Sequence, residues 1–323
     1  MRVSQDSDSM IDISIIIVTW NSRRDLELCL PSVRKGVTRH TYEVILVDNA
    51  SADDSVAYAE QVLPGVKVIA NEGNNGFARA NNQGFRAAGG RYFCLLNPDT
   101  LLHAGAFDAL ITFMDGKGED AWACGPGLLN GDGSAQRTGV RFPSLWNLFV
   151  EALFLDRAFP HSLIFGAHRQ LYEQGTMPRA VDFVQGSCLV VRASSVRSVG
   201  GLDEGFFMYF EETDWCKRFA ENGGHVFVVP GALVTHFGGG TVGHYDERRL
   251  IHYHESLFRY FRKHHGPIPR VIVRLLILGR SSIRACAWGL VSVARPSLRK
   301  QAASAVKGYV RVVGLAAGLW RRT

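Results

Sequence analysis

Tyr92-Phe93-Cys94-Leu95-Leu96-Asn97-Pro98-Asp99-Thr100 is the stretch on which the reading of this chain turns. An apolar run between Gly89-Gly90 and Pro98 reads as a buried strand that ends in a turn. Asp99 then stands just past the carboxyl end of that strand, where open α/β sheets place their ligand sites. Asn-Pro-Asp is also ordinary turn chemistry, with Pro presetting φ and Asp bonding nearby backbone. The neighbouring segments decide between the two.

Upstream, Ile13 to Thr19 is a β-branched run and reads as a buried strand. Asn21 or Ser22 is placed to cap a helix over about Arg23 to Val33. Glu43 to Asp48 is a second strand, and Ser51-Ala52-Asp53-Asp54 opens a second helix. Val66 to Asn71 is a third strand; Asn75-Gly76 is a turn, and Phe77 to Ala88 is helical. Strand and helix alternate with short joints, which predicts a parallel α/β sheet over the first hundred residues. Polar groups follow four strands: Thr19 to Asn21, Asp48 to Ser51, Asn74 to Asn82, and Asn97 to Asp99. Each alone is a cap or a turn. In register they line one sheet edge, where Asp48 could accept from a base or ribose and Asn49 and Ser51 could adapt. No Gly-x-Gly-x-x-Gly follows a strand and no Gly-x-x-x-x-Gly-Lys-Ser/Thr occurs. A dinucleotide dehydrogenase is thereby poorly supported, and a P-loop is excluded.

The 323 residues suffice for one large or two ordinary domains, of ordinary globular composition. Six cysteines without any Cys-x-x-Cys read as reduced residues of a cytosolic protein. Met1 to Met10 lacks the apolar core of a signal peptide, and residues 1–11 read as a disordered N-terminus. The net charge of +6 hides an asymmetry: 14 of the 36 Lys and Arg, and none of the 30 Asp and Glu, lie between Ser256 and Thr323. An acidic body of net charge −8 carries a basic tail.

In the second half, Trp122 to Leu129 reads as a strand and Asn130-Gly131-Asp132-Gly133 as a hairpin turn. Residues 143–178 show no clean period, and 181–192 is a strand pair or a bent strand. A helix runs from Glu211 to Asn222, ends at Gly223-Gly224 and opens with Glu211, Glu212 and Asp214. Carboxylates in a first turn suit the helix dipole. They also suit a general base, because the aromatic run Phe206-Phe207-Met208-Tyr209-Phe210 ahead of them could raise a carboxyl pKa. Strands over 225–229 and 234–236 lead to His236-Phe237-Gly238-Gly239-Gly240, whose free backbone N–H groups could approach an anion. Asp99 and His236 are a plausible pair for a divalent cation on a diphosphate. His252-Tyr253-His254 hints at zinc, but on a helix its two imidazoles face different ways.

Taken in order, Ile15 to Asn21, Val47-Asp48-Asn49-Ala50-Ser51, Asn74-Asn75-Gly76-Phe77-Ala78-Arg79-Ala80-Asn81-Asn82 and Leu96-Asn97-Pro98-Asp99 resemble the signature of glycosyltransferase family 2, in the wording of its rhamnosyltransferase branch. Phe206 to Asp214 and His236 to Gly240 resemble that family's acceptor-side motifs. The resemblance implies a GT-A fold, a Rossmann-like, mostly parallel central sheet flanked by helices. It implies a domain over 12–265, with a nucleotide-sugar half at 12–100 and an acceptor half at 101–265. It implies an inverting enzyme with Glu212 as base and Glu211 and Asp214 next in line. The nucleotide would meet Thr19, Asn21, Asp48, Asn49, Ser51, Gly76, Phe77, Asn81, Asn97 and Asp99. A divalent cation, Mg or Mn, would meet Asp99 and His236. The family's Asp-x-Asp is Asn97-Pro98-Asp99 here, and its base position carries Glu212, one methylene longer than the common Asp. The branch points to dTDP-rhamnose as donor and a lipid-linked or polysaccharide acceptor in cell-surface glycan synthesis. The rival readings are a transferase using a UDP-hexose and a non-catalytic nucleotide-sugar-binding scaffold.

The tail, 266–323, reads as a basic helical extension. Charge interrupts every apolar run before it reaches the roughly 18 residues of a membrane span. Arg270, Arg274, Arg280, Arg284 and Arg295 fall on one helical face, and Lys300, Lys307, Arg311 and Arg322 on another. The expectation is a pair of helices on an anionic membrane surface, apolar side down and Arg towards headgroups, on the inner face of the cell membrane. Nucleic acid would want polar or stacking partners among the basic residues instead, and two helices packing on the catalytic body would bury the same apolar faces.

Overall fold

The computed structural model describes residues 10–159, 161–162, 164–166, 176–238 and 247–319. In chain order its elements begin β1 (Ile13–Thr19), α1 (Arg23–Gly36), β2 (Tyr42–Asp48), α2 (Ser55–Val62), β3 (Lys67–Ala70), α3 (Phe77–Ala87) and β4 (Tyr92–Leu96). They continue with β5 (Thr100–Leu102), α4 (Ala106–Lys117), β6 (Ala121–Leu129), β7 (Ala135–Gln136), β8 (Gly139–Val140), α5 (Leu145–Ala152), α6 (Leu155–Ala158), β9 (Arg179–Val181), β10 (Phe183–Val184) and β11 (Cys188–Arg192). The last are α7 (Ala193–Val199), α8 (Glu211–Glu221), β12 (His225–His236), α9 (Glu247–His264), α10 (Pro267–Ala294) and α11 (Arg299–Ala316).

The chain divides into two compact units. The first takes Met1–Arg141, Tyr172–Gly205 and Glu211–Gly239; the second takes Phe142–Leu171, Phe206–Phe210 and Gly240–Thr323. The first unit is built on a mixed sheet of order β3-β2-β1-β4-β11-β6-β12-β5. The half expected to be parallel is so: β1 pairs parallel with β2 and β4, and β2 with β3. Beyond β4 the direction changes, because β11 runs antiparallel to both β4 and β6. The bent segment over 181–192 supplies that reversal. A bulge between Val229 and Leu233, around Pro230-Gly231, divides β12 and explains why its sequence reads as two strands.

Both faces of the sheet are apolar, which is why β1 reads as a continuous run. Ile13, Ile15 and Ile17 join Leu26, Leu30 and Val33 of α1 and Phe107, Leu110 and Met114 of α4 in one core. On the opposite face α3 lies so close that a Cβ at Gly84 would stand 2.4 Å from Ile16. Phe85 stacks there on Phe93 and Trp215, at 5.6 and 5.3 Å between centroids. Five of the cysteines are buried, Cys286 is exposed, and all six are free thiols.

Neither Asn21 nor Ser22 caps α1 through its side chain, a correction to the expectation from sequence. Asp53 does so from the next loop: one carboxylate oxygen accepts from Arg23 N at 3.0 Å and the other from Ser55 N at 3.2 Å. The helix starts of α1 and α2 are thus tied together by a residue thirty positions away.

In the second unit a core of Leu257, Tyr260 and Phe261 from α9 packs with Val273 and Ile277 of α10, Val312 and Ala316 of α11, and Leu148, Phe206 and Phe210. The two tail helices therefore share a core with α9. The arginine face of α10 is turned into this unit only at its middle: Arg280 lies 3.6 Å from Glu151 and Arg284 donates to the Tyr309 hydroxyl at 3.1 Å. Arg270, Arg274 and Arg295 are exposed, with Arg274 donating to the Ala316 carbonyl at 3.3 Å. On α11, Lys307 and Arg311 both pair with Glu247. Arg322 lies outside the described residues. His252 and His254 make no zinc pair: the first faces Glu255 at 3.4 Å, while the second is buried on the Leu250 carbonyl at 2.8 Å. Burial holds the His254 imidazole down to about 4. No helix among the described residues is long and apolar enough to cross a membrane.

Candidate active site

The parallel register brings the ends of β1, β2 and β4 to one edge. Asp48 pairs across from Thr19, and Asn49 N donates to the Thr19 carbonyl at 2.9 Å. The loops that follow are cross-locked. Ser51 donates its N–H to Asp48 at 3.1 Å, while its hydroxyl accepts from Asn21 N at 2.9 Å. Asn21 Oδ1 accepts from Ala52 N at 2.7 Å, and both Asn21 and Ala50 hold left-handed φ, at 54° and 61°. Asn49 spends its amide on scaffolding: it accepts from Asn71 at 3.0 Å and donates to the Gly76 carbonyl at 3.3 Å. That bond fixes Gly76, at φ 80°, where the chain turns into Phe77 and α3. What stays unspent is Thr19 Oγ1 and Asn81 Oδ1, buried and without a hydrogen-bond partner. Buried polar atoms normally have partners, so Thr19 Oγ1 at the end of β1 and Asn81 Oδ1 on α3 are open to a ligand's hydrogen bonds.

Asp99 and His236 meet through strand pairing, since β12 runs antiparallel to β5 with His236 opposite Thr100. His236 Nε2 lies 3.4 Å from Asp99 Oδ1. Gln136 orients the imidazole. Its Nε2 donates to Asn130 Oδ1 at 2.8 Å and to the His236 carbonyl at 3.2 Å, which leaves Oε1 to accept from His236 Nδ1 at 2.8 Å. With Nδ1 donating, the neutral ring would turn its Nε2 lone pair towards the carboxylate, two acceptors complementary to a cation. Cis ligands of an octahedral ion are about 3 Å apart at metal–oxygen distances near 2.1 Å, so the pair fits one divalent cation. No group of three or more His, Cys, Asp and Glu among the described residues could hold a metal alone. The remaining ligands would come from phosphate and water. Asp25, in the first turn of α1, adds negative potential: burial and the Asp99 charge push its carboxyl up.

The carboxylates of α8 differ sharply in environment. Asp214 is wholly buried and holds Arg218 at 3.0 Å, whose guanidinium also donates to the carbonyls of Val199 and Gly201. Asp214 is thus committed to an ion pair within its own helix. Glu211 is buried with Oε2 unpartnered; desolvation and the neighbouring Glu212 charge push its carboxyl well above the usual range. Glu212 is half-buried, with burial pushing it up to about 7. A Cβ at Gly186 would touch Glu212 at 3.7 Å, and the adjacent Ser187 carbonyl accepts from Asn97 N at 2.9 Å. The turn before β11 thereby connects Glu212 to the end of β4. Ser187 is buried with its hydroxyl unpartnered.

A family model described as Glycosyl transferase family 2 matches residues 14–195, more than half of the chain. The chain belongs to glycosyl transferase family 2. It is similar to the N-acetylglucosaminyl-diphospho-decaprenol L-rhamnosyltransferase of Mycobacterium tuberculosis (strain CDC 1551 / Oshkosh), 28% identical over 299 residues that cover 89% of this chain and 96% of that one. It is also similar to Rhamnosyltransferase WbbL of Escherichia coli (strain K12), 27% identical over 69% of this chain and 83% of that one. Among solved structures, the mannosyltransferase PcManGT from Pyrobaculum calidifontis in complex with GDP-Man and Mn2+ superposes with a TM-score of 0.54 at 16% identity, covering 97% of this chain and 86% of that one. The fold of this family 2 member is GT-A.

Most sequence-singled residues of this family 2 chain lie at strand ends or on α8, in one unit. Gly239 and Gly240 of the triple glycine fall outside the described residues. Sequence reasoning missed Gln136, Ser187, Asp25 and Asn82's clamp. Asn82 accepts from Leu202 N at 2.9 Å and donates to the Leu202 carbonyl at 2.9 Å and to Glu204 at 3.1 Å, with Gly201 too close for a Cβ. Gln136 meets its partner 100 positions away and Asn82 its partners 120 positions away. No local pattern records such pairings.

Proposed function

We propose that this chain is an inverting rhamnosyltransferase that uses dTDP-rhamnose and a lipid-linked or polysaccharide acceptor at the inner face of the cell membrane. The observation that carries the reading is Glu212, a half-buried carboxyl raised to about 7, linked through Gly186-Ser187 to the strand end that bears Asp99. Such a pKa suits proton transfer near neutral pH. Glu212 takes the proton from an acceptor hydroxyl as that oxygen bonds to the anomeric carbon. The bond from the anomeric carbon to the phosphate oxygen breaks on the opposite face, and the nucleoside diphosphate leaves with the electron pair. Thr19, Asp48 and Asn81 orient the nucleotide, with Asn21, Asn49 and Ser51 holding their loops. Asp99 and His236 would hold a divalent cation, which supplies charge neutralisation of the leaving diphosphate.

The rhamnosyl donor is supported by similarity to two rhamnosyltransferases, one across nearly the whole of both chains. The cation is supported by the Asp99–His236 geometry and by Mn2+ in the similarly folded mannosyltransferase. The test is a panel of sugar nucleotides offered to the purified protein with Mg or Mn, reading donor hydrolysis and melting shift. dTDP-rhamnose should give the largest response. A larger response to a UDP-hexose would replace the donor, and binding without turnover of any member would replace the enzyme with a binding module.

A further inference from the structure

Helix α10 is turned inside out relative to an ordinary surface helix. Its inward side carries Arg280 and Arg284 among Val273, Ile277 and the buried Ser281, while Arg274 at the border is exposed. The Arg284 guanidinium lies over the rings of Phe154 and Tyr309, 5.4 and 5.8 Å from their centroids. Its outward side carries Ile268, Val271, Leu275, Ile283, Leu290 and Val293, each more than half exposed. At 100° per residue these six fall within an arc of about 120°, and no charged residue enters that arc. At 1.5 Å per residue the arc runs for about 38 Å. An exposed apolar strip of that length, interrupted only by Gly279, Ser282 and Gly289, marks an interaction surface.

We infer that this strip is a bilayer-embedding face, lying in the membrane plane with its side chains at the headgroup–acyl boundary of an anionic leaflet. Charge complementarity selects the partner: residues 256–323 hold 14 Lys and Arg with no Asp or Glu, and Arg262, Lys263, Arg295, Arg299 and Lys300 are exposed around the ends of α10. Apolar insertion and attraction to anionic lipid are the two components of interfacial binding. Spanning is excluded by the arginines on the inward face. The inference deepens the membrane location proposed above and corrects its orientation. Arg280 and Arg284 serve the fold, and the exposed basic residues at and beside the helix ends, Arg270 among them, serve the headgroups.

Removing the tail is a poor test, because Val273, Ile277, Val312 and Ala316 belong to a core. The full chain carrying Leu275→Glu and Leu290→Glu changes only exposed positions. Sedimentation with phosphatidylglycerol–phosphatidylcholine vesicles should pellet the wild type, with weaker pelleting on pure phosphatidylcholine. The double variant should lose about tenfold or more of the bound fraction, with its melting point and vesicle-free donor hydrolysis unchanged. Three results overturn the inference: a variant that pellets like the wild type, a wild type that stays in solution, or a wild-type dimer that the variant splits and vesicles do not bind. Vesicle binding is read without donor and hydrolysis without vesicles, so failure here and failure of the transferase reading are separate outcomes.

Discussion

His236 Nε2 faces Asp99 Oδ1 at 3.4 Å, and the strand pairing behind them, with Phe237 N on the Asp99 carbonyl at 2.9 Å, fixes that approach. Asp99→Asn should therefore weaken nucleoside diphosphate binding about tenfold or more in Mg or Mn and change metal-free binding little, since a neutral amide is a poorer ligand for a hard cation. Calorimetric titration with and without chelator reads the difference. Full transfer activity in excess chelator would remove the cation from the mechanism.

Gln136 should matter at a distance from the nucleotide. Gln136→Leu removes the acceptor that orients His236 Nδ1, so metal affinity should fall by about 10–100-fold, the usual worth of such a supporting bond. Gln136→Glu, which keeps an acceptor there, should retain more affinity than Leu. Equal losses in both variants would assign Gln136 to the hairpin alone.

Glu212→Gln should keep donor binding and lose transfer by about 10²–10⁴. A base must be ionised, so with its carboxyl near 7 the wild-type rate should fall as pH drops below about 7 and level off above it. Near wild-type transfer by the variant would move the base to Glu211.

Glu211 gives a stability prediction with a definite sign. Its folded carboxyl is raised above the ordinary 4.5, so the folded state keeps a proton that the unfolded chain releases. Its contribution is complete below pH 4.5 and fades as pH rises through the folded value. Glu211→Gln should raise the melting point at pH 8 and do much less at pH 4. A shift equal at both values would show that the carboxyl does not change ionisation on folding.

Asn82→Ala removes three hydrogen bonds to the segment 202–204 and leaves buried backbone groups unpaired, at a cost of about 1–3 kcal/mol. Urea unfolding measures it. An unchanged midpoint would show that water replaces the clamp.

Strand identities were legible in the sequence because each is a short apolar run that ends at polar punctuation. β1 begins and ends where its residues change character, and α3, β4, β6 and α8 agree with their sequence patterns within a residue or two. The placement of Asp48 and Asp99 just past strand ends was legible because chain direction in a parallel sheet sends every strand end to one edge, and that of the α8 carboxylates because a helix's first turn favours them. Pairing between distant segments was not legible. The reversal at β11, Asp53 serving two helix starts, Gln136 orienting His236 and Arg218 reaching the carbonyls of Val199 and Gly201 are tertiary contacts without a period. The tail shows the limit most clearly. Its sequence revealed two amphipathic helices, since periodicity is local, but periodicity cannot say which face turns inward. Packing decided that: Glu151 and Tyr309 gave Arg280 and Arg284 partners inside the fold. The uncharged side was left to face outwards.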